Sequence, residues 1–264
     1  MKLEFVKDGP ALVIENTERL LIVADLHFGI EADLAAHGMH FRSHSTERLA
    51  RLMQTIDATE PDRLILLGDI KHSIPTLTRQ EWAEIPGILE TIRRRIPILV
   101  FPGNHDIGIG RFLREGELQP KEGAVIDGVA YLHGHTYPAP NLKSTLIVTG
   151  HHHPQVNLHD EVGCALQSPA YLRATVDANA LGFPAQENSG PVPLRALFIP
   201  AFNEIAGYDI LKIARDPFSP ISRCIRHEGA EVILSDGTYI GPLSMLLDDD
   251  DDADESPRRG NRGL

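Results

Sequence analysis

Five short stretches of this 264-residue chain concentrate side chains that can hold metal ions or move protons. They are Asp25-Leu26-His27, Gly68-Asp69, Gly103-Asn104-His105-Asp106, Gly134-His135 and Gly150-His151-His152-His153. Carboxylate, amide and imidazole donors without a thiolate suit Mn, Fe, Zn or Ni rather than Ca or an iron–sulfur cluster. Taken singly they are weak signals. D-x-H and G-D arise often by chance, and a three-histidine run can be a solvated tract. Gly103–Asp106 says more, because four small or polar residues stand where a strand would otherwise run on into core. His152 is expected to take no part, since alternate side chains of an extended segment point opposite ways.

Each stretch follows an apolar run of strand length: Leu21-Ile22-Val23, Leu64 to Leu67, Ile98 to Phe101, Val129 to Leu132 and Leu146 to Thr149. Unbroken apolar runs suit strands of a sheet covered on both faces. Two helical patterns separate the first three. After a Ser45 cap, Leu49, Leu52, Met53 and Ile56 recur at helical spacing; after a Thr78/Glu81 capping box, Trp82, Ile85, Leu89 and Ile92 do so. Pro86 should kink the second helix. The order βαβαβ predicts a parallel half-sheet with its ligand site at the carboxyl ends of the strands. There the motif residues would converge into one bowl.

The second half is richer in strands. Asp127-Gly128 and Ser235-Asp236-Gly237 are hairpin signals, and further strands are expected at Leu194 to Ile199, Glu231 to Leu234 and Thr238 to Ile240. The reading is α/β: a four-layer α-β-β-α sandwich of two mixed sheets flanked by helices. One domain is expected over residues 1–247, with a surface loop at 175–193 and a disordered acidic and arginine-bearing tail at 248–264.

With 37 acidic against 25 basic residues the formal charge is −12, which argues against binding nucleic acid through a wide basic surface. Two cysteines, Cys164 and Cys224, make no disulfide framework. No apolar leader or spanning segment is seen, so a soluble protein of the reducing cytoplasm, with no membrane partner, is expected.

The ordered set of five motifs, over residues 21 to about 160, resembles the calcineurin-like metallophosphoesterase superfamily. Within it the chain is similar to the archaeal and bacterial branch that includes the DNA-ligase-associated phosphoesterases. The branch features are Gly68-Asp69-Ile70-Lys71-His72, His133-Gly134-His135, Gly150-His151-His152-His153-Pro154, Pro200-Ala201-Phe202-Asn203 and Asp236-Gly237 followed by Gly241-Pro242-Leu243. His152 stands where the branch usually has an acidic residue.

The resemblance implies two divalent metal ions, manganese first, with Ni, Fe, Zn or Mg as alternatives. It implies that Asp25, His27 and His153 hold one ion, that Asn104, His135 and His151 hold the other, and that Asp69 bridges them. It gives His105 the place beside the phosphate, as a transition-state stabiliser or proton donor, with Asp106 orienting its ring. His133 is a rival to His135, read as a core or supporting residue. Lys71 and His72 could meet substrate phosphate or belong to a solvated loop. His37, His40, Arg42 and His44 could wall the substrate, but read better as surface. His159 and His227 have no supporting context.

The implied activity is phosphodiester hydrolysis at a nucleotide or nucleic-acid end, alongside a DNA-repair protein as a further partner. The same bowl would serve a phosphomonoesterase, a protein phosphatase or a nucleotide pyrophosphatase, and a non-catalytic scaffold is the reading from another class. Two divalent ions would bring positive charge back to the cleft, so the acidity limits substrate size rather than excluding phosphate.

Overall fold

The structure, a computed structural model, describes residues 1–39, 42–159, 165–183 and 193–247. His40, Cys164 and the expected tail at 248–264 lie outside the described residues. The first sheet contains β1 (Lys2–Phe5), β2 (Leu12–Glu15), β3 (Arg19–Val23), β4 (Arg63–Leu66) and β5 (Ile98–Val100), in that spatial order. The pairs β3–β4 and β4–β5 are parallel, as the βαβαβ order requires, while β1–β2 and β2–β3 are antiparallel. The amino-terminal hairpin thus extends the half-sheet beyond its parallel part.

Helices α1 (Ile30–Ala36) and α2 (Ser45–Thr59) follow β3, and α3 (Arg79–Arg93) follows β4. The Thr78/Glu81 capping box of α3 is present, and the helix runs without a break through Pro86. Ser45 is the first helical residue of α2 rather than its cap; His44 holds the cap position and makes no side-chain capping bond. Trp82 does not belong to the buried stripe of α3 and is 49% exposed.

The second sheet has nine strands: β6 (Ala124–Ile126), β7 (Val129–Leu132), β8 (Leu146–Thr149), β9 (Pro154–His159), β10 (Ala165–Val176), β11 (Arg195–Phe198), β12 (Tyr208–Asp209), β13 (Ile225–Leu234) and β14 (Tyr239–Pro242). It too is mixed: β7, β8 and β11 run parallel, and β10 pairs antiparallel with β9, β11 and β13. Asp127 and Gly128 both have positive φ at the β6–β7 turn, the backbone that a type I′ hairpin needs.

Three buried clusters separate four layers. Leu52, Ile56, Ile85, Leu89 and Ile92 of α2 and α3 pack on Leu21, Val23, Leu64 and Leu66. Leu20, Ile22, Ile65 and Phe101 meet Tyr131, Val148, Tyr171 and Leu197 between the sheets. Beyond the second sheet, Ile147, Leu172, Ala196 and Phe198 are covered by Ile210 and Ile213 of the short helix α4 (Ile210–Arg215). The sandwich is therefore four-layered with a thin fourth layer, completed by loop residues such as Leu181 and Phe183. Of the surface loop expected at 175–193, residues 184–192 lie outside the described residues, and part of the rest is not surface. β10 runs to Val176, and Leu181 and Phe183 are buried because the outer face of the sheet has little helix to cover it.

Candidate metal centre

The five motifs lie just past the carboxyl ends of β3, β4, β5, β7 and β8, where each chain must turn sharply once its strand ends. The backbone records that demand. Asp25, His27, Asp69, His151 and His153 all have positive φ, between 46° and 69°. Side chains other than glycine rarely adopt this region, and its cost is borne where the surroundings hold the residue in place. Two glycines let the turns meet. A Cβ at Gly103 would strike the Asp69 carboxylate, and one at Gly68 the His133 ring.

Asp25, His27, Asp69 and His153 form one group whose ligand atoms lie within 4.8 Å of one another. His153 Nε2 is 3.2 Å from Asp25 Oδ1, and His27 Nε2 is 3.8 Å from Asp69 Oδ2. A second group joins Asp69 to His133 and His151. The amide oxygen of Asn104 is 3.2 Å from His133 Nε2, which itself lies 3.4 Å from Asp69 Oδ2. Asp69 belongs to both groups.

The second group contains His133 where His135 was expected. On a strand, residues two apart face the same side, so His133 follows Tyr131 into the space between the sheets. Gly134 then turns the chain at φ 117°, and the His135 ring is left 5.3 Å from that of His133 and 6.1 Å from that of His151. His135 stands half-buried at the lip, with its Nδ1 buried and unpartnered. His152 points away: its Nδ1 donates to the Gly150 carbonyl, its Nε2 accepts from Ser219, and its ring packs on Phe198.

Asp106 does not touch the His105 ring. Its carboxylate accepts from the backbone N–H groups of Ile70, Lys71 and Gly103, clamping the Asp69 and Asn104 loops together. The His105 ring is set instead by Nδ1, which bonds the His72 carbonyl, while its backbone N–H donates to Asp69 at 2.8 Å. Lys71 does not lie in a solvated loop; it is buried and its ammonium donates to the Ser73 carbonyl. His72 lies within the bowl, stacked on His105 and with Nδ1 3.3 Å from Nδ1 of His27. His37 bonds the Asp33 carbonyl and Arg42 pairs with Glu47, both on the surface.

The electrostatics calls for cations. Asp25 and Asp69 are buried, with imidazoles but no Lys or Arg as ion-pair partners among the described residues. Burial favours neutral Asp69, yet the charge and hydrogen bond of His133 hold it far below the usual carboxylate range. Burial likewise opposes a charge on His133, and the carboxylates of Asp69 and Asp25 outweigh it, raising His133 to about 9. Burial and the His133 charge push His151 down to about 2. Burial, partly opposed by Asp69, also keeps His27 neutral. Burial opposes a charge on His153 as well, but the Asp25 carboxylate outweighs it, so without metal protons on His133 and His153 offset the buried carboxylates while neutral His27 and His151 keep lone pairs to offer an ion. The residues fit a divalent metal.

Residues 18–167 match the calcineurin-like phosphoesterase family. The chain belongs to that family. It is accordingly a phosphoric ester hydrolase of metallophosphoesterase type. Its fold is similar to that of a Pseudomonas putida nuclease, MPE, at 20% identity and a TM-score of 0.55, covering 91% of this chain and 94% of that one. It is also similar to Yfce, a phosphoesterase from E. coli, at 16% identity and a TM-score of 0.35, over 53% of this chain and 73% of that one. Among the described residues no helix is long and apolar enough to cross a membrane.

Three supports of this phosphoesterase centre carry no catalytic-looking motif. Asn203 donates to the Leu26 carbonyl and its backbone N–H donates to the Asp25 carbonyl, holding the first motif's turn. Buried Arg48 pairs with Glu31 and Glu204 and reaches the His27 carbonyl. Glu81, besides closing the α3 cap, accepts from the N–H groups of His72 and Ser73. The Pro200–Asn203 run and the Thr78/Glu81 capping box were sequence signals for Asn203 and Glu81, and Arg48 had none.

Proposed function

We propose that the protein hydrolyses phosphodiesters of nucleotides or nucleic-acid ends, using two divalent metal ions held in the bowl. The observation that carries this is the single Asp69 carboxylate shared by two ligand groups. Asp25, His27, Asp69 and His153 would hold one ion; Asp69, Asn104, His133 and His151 would hold the other. Bound there, such ions supply Lewis acidity toward the phosphoryl group and bring the ionisation of water near neutral pH. Manganese suits a mixed imidazole and oxygen donor set.

The chain's own groups do the rest. His105 is fixed through Nδ1, which leaves Nε2 to hydrogen-bond a phosphoryl oxygen or to protonate the leaving oxygen. Its backbone N–H steadies the shared carboxylate, and Asp106 keeps the two loops in register. A nuclease shares the fold over nearly the whole of both chains, which favours nucleic acid as the substrate class. The overall charge of −12 favours a short or single-stranded substrate over long duplex tracking.

A panel of monoester, diester, cyclic nucleotide, and single- and double-stranded ends, run with Mn, Ni, Zn and Mg in turn, tests the proposal. Diester hydrolysis with Mn and none of monoesters is expected. Turnover of monoesters alone would overturn it.

A further inference from the structure

At the start of α3, and in the loop that follows the His105 motif, lies an aromatic and cationic surface that the proposed chemistry does not use. Trp82, the only tryptophan of the chain, is 49% exposed in the first turns of α3. The Arg111 guanidinium lies over its ring, 5.2 Å from the centroid, and Phe112 meets it edge to face at 5.2 Å. Arg79, exposed and three residues before Trp82 on the same helix, shares its face.

Two features of this patch bear on what it can bind. A half-exposed tryptophan costs hydration with no core to repay it. In addition, neither Arg79 nor Arg111 has a carboxylate partner among the described residues, in a chain where Arg93, Arg95 and Arg114 are all ion-paired. The patch is also tied to the site from both sides. Glu81, next to Trp82, holds the His72 and Ser73 N–H groups. The Arg111 backbone N–H donates to the carbonyl of Gly108, three residues after His105 in the same loop. A planar aromatic ring with two guanidinium groups that no carboxylate among the described residues neutralises, on an otherwise acidic protein, is complementary to a nucleobase with its phosphate. Bases stack on aromatic and guanidinium planes whatever their identity, and arginine adds a phosphate contact.

We propose that Trp82 and Arg111, with Arg79, form a subsite that stacks a nucleobase of a single-stranded polynucleotide next to the scissile phosphate. The inference rests on the nucleic-acid reading above and names how that substrate is held. The subsite contributes to binding and leaves the chemistry to the bowl.

The test is steady-state kinetics of the full-length, Mn-loaded enzyme on three substrates: a short single-stranded oligonucleotide, its abasic counterpart, and a small alkyl aryl phosphodiester. Trp82→Ala and Arg111→Ala are each expected to raise KM for the oligonucleotide about tenfold, with kcat unchanged. Turnover of the small diester should stay at the wild-type level, and KM for the abasic strand should move far less than for the intact one. Trp82→Phe should restore most of the affinity. An unmoved oligonucleotide KM, as for a patch that docks a protein, overturns the subsite alone. An equal loss on the abasic strand does the same. Wild-type enzyme that turns over the small diester but no oligonucleotide overturns the nucleic-acid reading and the subsite with it.

Discussion

Among the described residues, buried Asp25 and Asp69 have only imidazoles as ion-pair partners, so the state of each ring bears on what the centre can bind. His133→Ala should release the second metal ion, whereas His135→Ala should keep both; elemental analysis of the purified variants reads the difference. The pH dependence has a definite sign. His133 is raised to about 9 without metal, so its proton stabilises the metal-free fold below pH about 6.5 and that contribution fades as pH rises through 9. A metal ion must displace this proton. Affinity for the second ion should therefore climb with pH up to about 9 and then level, with close to one proton released from His133 as that ion binds at pH 7–8. Calorimetry in buffers of different ionisation enthalpy measures that release. Asp106→Ala strands three backbone donors and should cost about 3 kcal/mol or more, read from urea unfolding. Donor types and their strand-end positions were legible from residue types alone. That His133, read only as the rival to His135, lies in the second ligand group was not, because its place depends on where β7 stops and on the turn at Gly134. Nor was the Asp106 clamp, which joins loops far apart in sequence.

At the scale of elements, the centre depends on turns held from outside. Asn203→Ala removes a bond to the Leu26 carbonyl without touching a ligand, and should weaken metal binding about 10- to 100-fold while the fold survives. Metal titration with circular dichroism as a folding control would show it. The parallel strands and the α3 capping box could be read directly, because unbroken apolar runs and a Thr-x-x-Glu pattern have local causes. Strands such as β1 and β12, of four and two residues, carry too little periodicity to be seen in advance. Trp82 shows the opposite failure. Its spacing fits the buried stripe, yet in the first turns of α3 it reaches past the edge of the core.

For the whole molecule, the bowl exists only while two sheets stay in register, since β3, β4 and β5 supply three motifs and β7 and β8 the other two. Tyr171 spans that junction, buried between the sheets with its hydroxyl donating to the Ala11 carbonyl at 2.8 Å. Tyr171→Ala should cost about 3–5 kcal/mol and lower metal affinity together, a coupling that a purely peripheral residue would not show. The layer order followed from the βα half and the strand-rich half. The thinness of the fourth layer did not, because the loops that complete it carry no helical pattern. The central claim, two ions joined by Asp69, is tested most directly by anomalous diffraction at the manganese edge from Mn-loaded crystals. Two peaks about 3.5–4 Å apart are expected, both at Asp69, with His133 rather than His135 on the second. A single peak, or a second ion that Asp69 does not touch, would contradict the account.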